Sequence, residues 1–345
     1  MPGQTISSQS NSETLLEVRG LSKFFPIEKG FFRKAVGHVR AVDDVSLTIQ
    51  QGKTVGLVGE SGCGKTTLGR CILRAIEPTS GQVVLNLDGH QVDVTALPTR
   101  EMRAIRRHMQ MVFQDPYSSL DPRKTILDIV GEPLRLHKVA SGDELMNRVK
   151  ELMEVVGLDV KYLHRYPHAF SGGQRQRIGI ARALSLNPKL IVCDEAVSAL
   201  DVSVQAQILN LFQDLQEKFH LTYLFVAHDL SVVEHISDEV AVMYVGKVVE
   251  QADTEDLFLH PKHPYTEALL SAAPKPDPTN PLKEIQLQGE IANPANPPSG
   301  CYFHPRCRYA QAICRKEAPP KVEVSTNHFA VCHFANSLEL QGAEK

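Results

Sequence analysis

"GESGCGKTT" (residues 59–67) decides the fold of this chain. It follows the apolar run "TVGLV" (54–58) and opens "KTTLGRCILRAI" (65–76), which has the pattern of a helix. A strand, a glycine-rich turn and a helix in that order provide the context that the phosphate-binding pattern G-x-x-x-x-G-K-[ST] requires. Gly59, Gly62 and Gly64 let the backbone close on a polyphosphate. The N–H groups of the loop, running through Glu60, Ser61 and Cys63 to Thr67, point inward, and the helix N-terminus adds a favourable dipole. Lys65 is placed to reach the β- and γ-phosphates, and the Thr66 hydroxyl to coordinate Mg²⁺.

A second segment completes the site. In "LIVCDE" (190–195) four apolar residues bury a strand, and Asp194 emerges at its C-terminal end. A carboxylate there can hold Mg²⁺ directly or through water, and Glu195 next to it is suited to act as general base on the attacking water. Alone, a buried strand ending in Asp-Glu is often structural; beside a phosphate loop it reads as catalytic. Together the two segments define a P-loop NTPase. "FSGGQRQR" (170–177) adds another small hydroxyl and bare N–H groups, from Ser171, Gly172 and Gly173, at a helix start. That is a second anion site, about 110 residues from the first, or else simply a flexible helix N-terminus.

Outward from these motifs the chain alternates. "TVGLVG" (54–59), "LIVCDE" and "TYLFVAH" (222–228) read as buried parallel strands. "SVQAQILNLFQDLQEKF" (203–219) reads as a helix with Val204, Ile208, Leu211, Phe212, Leu215 and Phe219 on one face, and "DELMNRVKELMEVVGL" (143–158) as another. The fold class is α/β, with a nucleotide-binding domain over 14–260 and a mainly helical subdomain over about 115–184. Residues 1–13 are polar and are expected to be a disordered tail. Ten of the 21 prolines lie between Pro261 and Pro305, a density that rules out continuous helix or central strand there. A Pro/Cys-rich C-terminal region is therefore expected over 261–345.

The 345 residues are ample for a core, and the 42% hydrophobic and 22% charged content is that of an ordinary soluble protein. Net charge is -3, which gives no electrostatic footprint for nucleic acid or an anionic bilayer as main partner. No apolar run reaches the roughly 18 residues of a membrane helix, and the N-terminus lacks the features of a secretory signal. The expected compartment is the cytoplasm, where a disulfide framework is disfavoured.

The order of "GESGCGKTT", "FQDP" (113–116), "FSGGQRQR", "LIVCDEAVSALD" (190–201) and "VAHD" (226–229) resembles the ATP-binding subunit of ABC transporters, over roughly residues 14–255. The resemblance implies a RecA-like ATPase core with an antiparallel β-subdomain and a helical subdomain, using ATP and Mg²⁺. It implies a head-to-tail pair with a sister ATP-binding subunit, in which Ser171–Gly173 of one chain caps the ATP on Lys65 of the other. By position, Gln114 matches the glutamine that contacts Mg²⁺ and the attacking water. Asp201 matches the loop coupling the two sites, and His228 the switch histidine at the γ-phosphate. Phe25 matches the aromatic that stacks on adenine, with core packing as its alternative. "YSSLDPR" (117–123) falls where the membrane subunit docks. One departure is Ala196, where the family usually has proline after the catalytic Glu; Asp194 and Glu195 are intact, so hydrolysis is expected.

"HPKHPYTEALLSAAP" (260–274) and "GEIANPANPPSGCYFHPRC" (289–307) narrow the resemblance to importers of dipeptides, oligopeptides or nickel. This implies ATP hydrolysis that powers peptide import, with two membrane permease subunits, an indirect solute-binding partner, no nucleic acid, and a peripheral position on the cytoplasmic side of the cell (inner) membrane. An importer of nickel, an opine or another small solute is the nearest alternative. A soluble ABC ATPase acting on ribosomes or DNA fits the single cassette and net charge less well. A regulatory module with degenerate motifs fits poorly, because Lys65, Glu195 and His228 are all present. Cys301, Cys307, Cys314 and Cys332 have the spacing C-x₅-C-x₆-C-x₁₇-C, looser than the paired cysteines of zinc sites. Four thiolates suit a [4Fe–4S] cluster, which members of the group with this tail are thought to bind; Zn²⁺ and unliganded buried thiols remain alternatives. Arg306, Arg308, Arg315 and Lys316 are candidate countercharges, and His304 and His333 substitute ligands. Cys63, Cys71 and Cys193 belong to the ATPase core.

Overall fold

The computed structural model describes residues 14–29, 34–272 and 285–343, so the expected tail at 1–13 lies outside the described residues. Among them the strands are β1 (Thr14–Lys29), β2 (Lys34–Gln50), β3 (Thr54–Val58), β4 (Ser80–Leu87), β5 (His90–Asp93), β6 (Met109–Val112), β7 (Leu190–Asp194), β8 (Thr222–Val226), β9 (Glu239–Tyr244), β10 (Lys247–Asp253), β11 (Lys321–Ser325) and β12 (His328–Val331). The helices are α1 (Lys65–Ile72), α2 (Thr99–Ile105), α3 (Ile126–Leu136), α4 (Gly142–Val155), α5 (Gly172–Leu184), α6 (Val202–Phe219), α7 (Leu230–Ile236), α8 (Thr254–Leu259), α9 (Pro264–Ala272) and α10 (Ala312–Lys316).

Two sheets result. An antiparallel sheet has the order β2-β1-β4-β5, and a larger one the order β11-β12-β10-β9-β3-β8-β7-β6. In the larger sheet, β9, β3, β8, β7 and β6 run parallel. All five residues of β3, β7 and β8 are buried, because helices and the antiparallel sheet cover both faces. Alternate residues of β8 serve two cores: Leu224 and Val226 pack with Val55, Leu57, Leu68 and the strands of the antiparallel sheet, while Tyr223 and Phe225 pack with the α6 side. Phe212 of α6 meets Tyr223 and Phe225 edge-on, with ring centroids 5.5 and 5.7 Å apart. Phe219, expected on this apolar face, is 40% exposed at the last turn of α6. Helices α3, α4 and α5 pack on one another through Ile129, Val130, Leu145, Val149, Met153 and Ile178.

The register brings chemistry to one rim. Asp194, the last residue of β7, pairs with Val226, the last of β8, and Val226 also pairs with Leu57 of β3. The turns leaving β3, β6, β7 and β8 therefore converge at the C-terminal edge of the parallel strands, where α/β sheets bind ligands.

The C-terminal region builds on the same sheet. Pro264 begins α9 and Pro274 follows it, so a nine-residue helix fits between two prolines of the dense stretch. Strand β12 pairs with β10 (Glu250↔Ala330, Gln251↔Phe329) and carries β11 at the sheet edge. The joint is locked by His328, which is fully buried: Nε2 lies 2.8 Å from Glu250 Oε1 and Nδ1 2.6 Å from Asp256 Oδ2. With a carboxylate at each nitrogen, the ring satisfies both contacts as an imidazolium.

Candidate active site

The loop between β3 and α1 needs its glycines. Gly64 caps α1 with φ 111°, and a Cβ there would sit 1.9 Å from the Ala41 carbonyl oxygen. Gly59 has φ 150°, and its Cβ would meet the Met243 carbonyl at 2.1 Å. No side chain fits at either place. Lys65 is buried, and its ammonium donates to the Gly59 and Glu60 carbonyls at 2.7 and 3.0 Å. The loop thus folds around its own cation. The Thr66 hydroxyl donates to Asp194 Oδ1 at 2.7 Å, and Arg70 stands 3.8 Å from the other oxygen. Asp194 is only 2% exposed. Burial pushes its carboxyl above the usual range, although the Thr66 bond and the Arg70 charge pull the other way.

Glu195 follows Asp194 with φ 46°, the left-handed region that side chains other than glycine seldom adopt. Its N–H donates to the Val226 carbonyl at 3.0 Å, which fixes the turn to the end of β8. Ala196 imposes no pre-proline restriction on this backbone and is itself buried. The Glu195 carboxylate accepts from Gln114 Nε2 at 2.7 Å, and His228 Nδ1 lies 3.5 Å from the same oxygen, Oε2. Three of the expected residues, from the ends of β6, β7 and β8, are thereby gathered on one carboxylate oxygen.

Ser171 caps α5. Its hydroxyl accepts from the Gln174 N–H at 3.4 Å, and Gln174 Oε1 takes the Ser171 N–H at 3.1 Å, a reciprocal capping box. A Cβ on Gly173 would lie 2.4 Å from Val204 Cγ1, so α5 packs tightly on the first turn of α6. Asp201 caps that turn, accepting from the Val204 N–H at 3.0 Å and the Ser203 hydroxyl at 2.8 Å. Phe25 projects from β1 and is 37% exposed, with Lys23 Nζ 5.0 Å from its ring centroid. No hydrogen bond or ion pair among the described residues joins Phe25, Ser171–Gly173 or Asp201 to the loop at 59–67.

Sequence reasoning missed what does hold that loop from outside. The Glu60 N–H donates to the hydroxyl of Tyr265 at 2.8 Å, and the Glu60 carboxylate takes two N–H groups of Arg306, at 2.6 and 2.9 Å. The same region also bonds to β2, through Tyr302 to Asp43 at 2.9 Å and from the Arg40 N–H to the Pro294 carbonyl at 3.0 Å. Arg306 and Arg308, read as countercharges for the cysteines, are instead committed to Glu60 and Glu267. The only signal was the arginine-rich composition around the cysteines.

All seven cysteines are free. Cys301, Cys307, Cys314 and Cys332 line one cavity of about 20 Å³, with His304 and His333 also on its wall. The two histidines each have one nitrogen on a backbone carbonyl, that of Cys301 at 2.9 Å and that of Glu317 at 3.0 Å. Burial pushes the Cys307 thiol up to about 12 and the Cys332 thiol to about 11, and raises Cys301 as well. Without a metal these groups are protonated and pack as small apolar side chains. The expected [4Fe–4S] ligand set is not assembled: among the described residues no three His, Cys, Asp or Glu side chains are arranged to hold a metal ion.

Among the described residues no helix is long and apolar enough to cross a membrane. The sequence pattern of the ABC transporter family matches residues 42–198, and that of the oligopeptide/dipeptide transporter C-terminal region matches 249–314. The chain is 51% identical to the oligopeptide transport ATP-binding protein AppF of Bacillus subtilis (strain 168), over 94% of this chain and 98% of that one. It is also 51% identical to the dipeptide transport ATP-binding protein DppF of Haemophilus influenzae, over 88% of this chain and 92% of that one. Among solved structures it is similar to the dimeric post-hydrolysis state of the ATP-binding cassette MJ0796 bound to ADP and Pi, with TM-score 0.61 and 29% identity, covering 70% of this chain and 99% of that one.

Proposed function

The chain belongs to the ATP-binding proteins of the ABC transporter family, in the oligopeptide/dipeptide group, and from that premise we propose how it works as the ATP-hydrolysing subunit of a peptide importer. One observation carries the catalytic assignment: the Glu195 carboxylate is shared by Gln114 and His228 at the strand rim that also holds the Thr66–Asp194 pair. Glu195 accepts a proton from the attacking water. Gln114 fixes the orientation of that carboxylate, and His228 serves the γ-phosphate. Lys65 exchanges the Gly59 and Glu60 carbonyls for phosphate oxygens. Thr66 and Asp194 are hard oxygen donors 2.7 Å apart, and Asp194 is a buried carboxylate, so together they suit Mg²⁺. The ion supplies positive charge against the phosphates when bound. Positioning and charge stabilisation supply most of the rate in such a reaction.

The remaining residues serve an assembly. Ser171, Gly172, Gly173 and Asp201 act on the ATP of a sister subunit paired head to tail. The dimeric state of MJ0796 supports this reading, as does the absence of any bond from these residues to their own loop among the described residues. Phe25, half-exposed on β1, stacks on adenine. The pair sits on the cytoplasmic face of the membrane against two permease subunits, fed by a solute-binding protein. The four C-terminal thiols hold a structural metal centre. Their convergence on one cavity supports it; [4Fe–4S] is the form proposed, with Zn²⁺ as the alternative.

Reconstitution with the permease subunits in vesicles tests the function. Peptide uptake should require ATP and vanish in Glu195→Gln. ATP-driven accumulation of nickel with no peptide uptake would overturn the peptide assignment.

A further inference from the structure

Glu60 brings a carboxylate into a loop built to gather phosphate. Each of its polar groups is engaged. The N–H goes to Tyr265 at 2.8 Å, the carbonyl to Lys65 at 3.0 Å, and the two carboxylate oxygens to Arg306 at 2.9 and 2.6 Å. The Arg306 side chain is 6% exposed and the Glu60 side chain 24%. Arg306 is itself supported. Its guanidinium lies 5.9 Å from the ring centroid of Tyr244, which packs with Tyr265 and Phe303 at centroid distances of 4.7 and 5.2 Å. Two parallel N–H···O bonds give this pair a fixed geometry that a lysine could not reproduce. No other ion pair to Glu60 is found among the described residues.

An unpaired carboxylate at the second position of the loop would repel an incoming polyphosphate, the more so where water is partly excluded. We propose that Arg306 is a positioning residue for ATP binding: it cancels the loop's own negative charge at Glu60 and fixes that carboxylate away from the phosphates, so the C-terminal region sets the nucleotide affinity of its own chain. The proposal rests on the reading of residues 59–67 as the ATP site. It assigns the segment around the cysteines a task in the ATPase cycle that needs no metal chemistry.

The full chain is tested for MgATP affinity by equilibrium binding, and for KM and kcat after reconstitution. Arg306→Gln should raise Kd and KM about tenfold, with a much smaller change in kcat, and Arg306→Lys should raise them about threefold. The double variant Glu60→Gln/Arg306→Gln should recover to within about threefold of the wild-type Kd, because the charge that needed cancelling is gone. A merely structural Arg306 would leave the double variant as weak as the single one, and that result overturns the proposal. If Arg306→Gln does not fold, the double variant decides alone by the same threshold. Wild-type protein that binds MgATP no better than Lys65→Ala would instead overturn the reading of the loop itself.

Discussion

Gln114 donates to Glu195 across 2.7 Å, joining residues 81 positions apart. Gln114 lies just beyond β6, where the chain leaves the sheet for α3, α4 and α5, whereas Glu195 is pinned to the end of β8 through the Val226 carbonyl. A shift of the helices against the sheet would therefore pull the amide from the carboxylate. Glu195→Gln removes the base and should lower ATP hydrolysis at least about 100-fold with ATP binding retained. Gln114→Ala should cost about tenfold in kcat with little change in KM, since it acts on the orientation of Glu195. Steady-state kinetics on the reconstituted complex check both. Equal rates for wild type and Glu195→Gln would remove Glu195 from the mechanism.

Asp194 is a carboxylate kept where its anion is disfavoured. Burial raises its folded pKa above the unfolded value, so the folded state holds the proton more tightly. Its stabilising contribution is therefore present below the unfolded pKa and lost as pH rises through the folded one. At neutral pH the ionised group is a liability until a cation arrives. Asp194→Asn should raise the melting temperature of the nucleotide-free protein by about 2–4 °C, while Mg²⁺-dependent hydrolysis is lost. Calorimetry without and with MgATP reads both effects. A variant less stable than wild type in both conditions would sink this account.

What the sequence made legible was local. Lys65, Thr66, Asp194 and Glu195 stand within or directly after short apolar strands, and a buried parallel strand announces itself by composition. The strand and the turn then fix the side chain within a few residues. Arg306 meets Glu60 across 246 positions, and nothing near either residue encodes that distance. The same holds for Tyr265, a buried tyrosine whose hydroxyl could have faced any donor. The proline count around 261–305 was informative about where helices break, but α9 fits between Pro264 and Pro274 because one proline can start a helix and another can follow it. Strands β11 and β12 were not foreseen either. Strand β11 alternates exposed and half-buried residues with none fully buried, and four-residue β12 is too short to show a clear period.

The cysteine cavity makes a separable prediction. Thiols raised by burial to about 12 at Cys307 and about 11 at Cys332 ionise only beside a cation. Protein purified without oxygen should carry stoichiometric iron and sulfide with an absorbance band near about 400 nm, and Cys307→Ser should lose it. Stoichiometric zinc without colour would replace the cluster by a single ion. Protein free of both metals after anaerobic purification would end the metal proposal.

His328 supplies a pH dependence with a defined sign. Burial pulls its imidazolium down, but the hydrogen bonds to Glu250 and Asp256 outweigh that and leave the pKa raised. Both folded and unfolded states are protonated below the ordinary value of about 6.5, and there the stabilisation is complete. It is lost as pH rises from that value through the folded pKa, when the ring can no longer donate to both carboxylates. The bonds join β12 to β10 and α8, so the C-terminal hairpin should loosen first. Wild-type melting temperature should fall as pH rises above about 6.5. His328→Gln should lose about 3 kcal/mol at pH 6, because Glu250 and Asp256 are left facing each other without the cation, and should show a flatter profile. Differential scanning calorimetry of both proteins across this range makes the comparison. Parallel profiles would mean that His328 does not titrate in the folded protein, and β12 amide protection factors that stay constant with pH would place the weak point elsewhere.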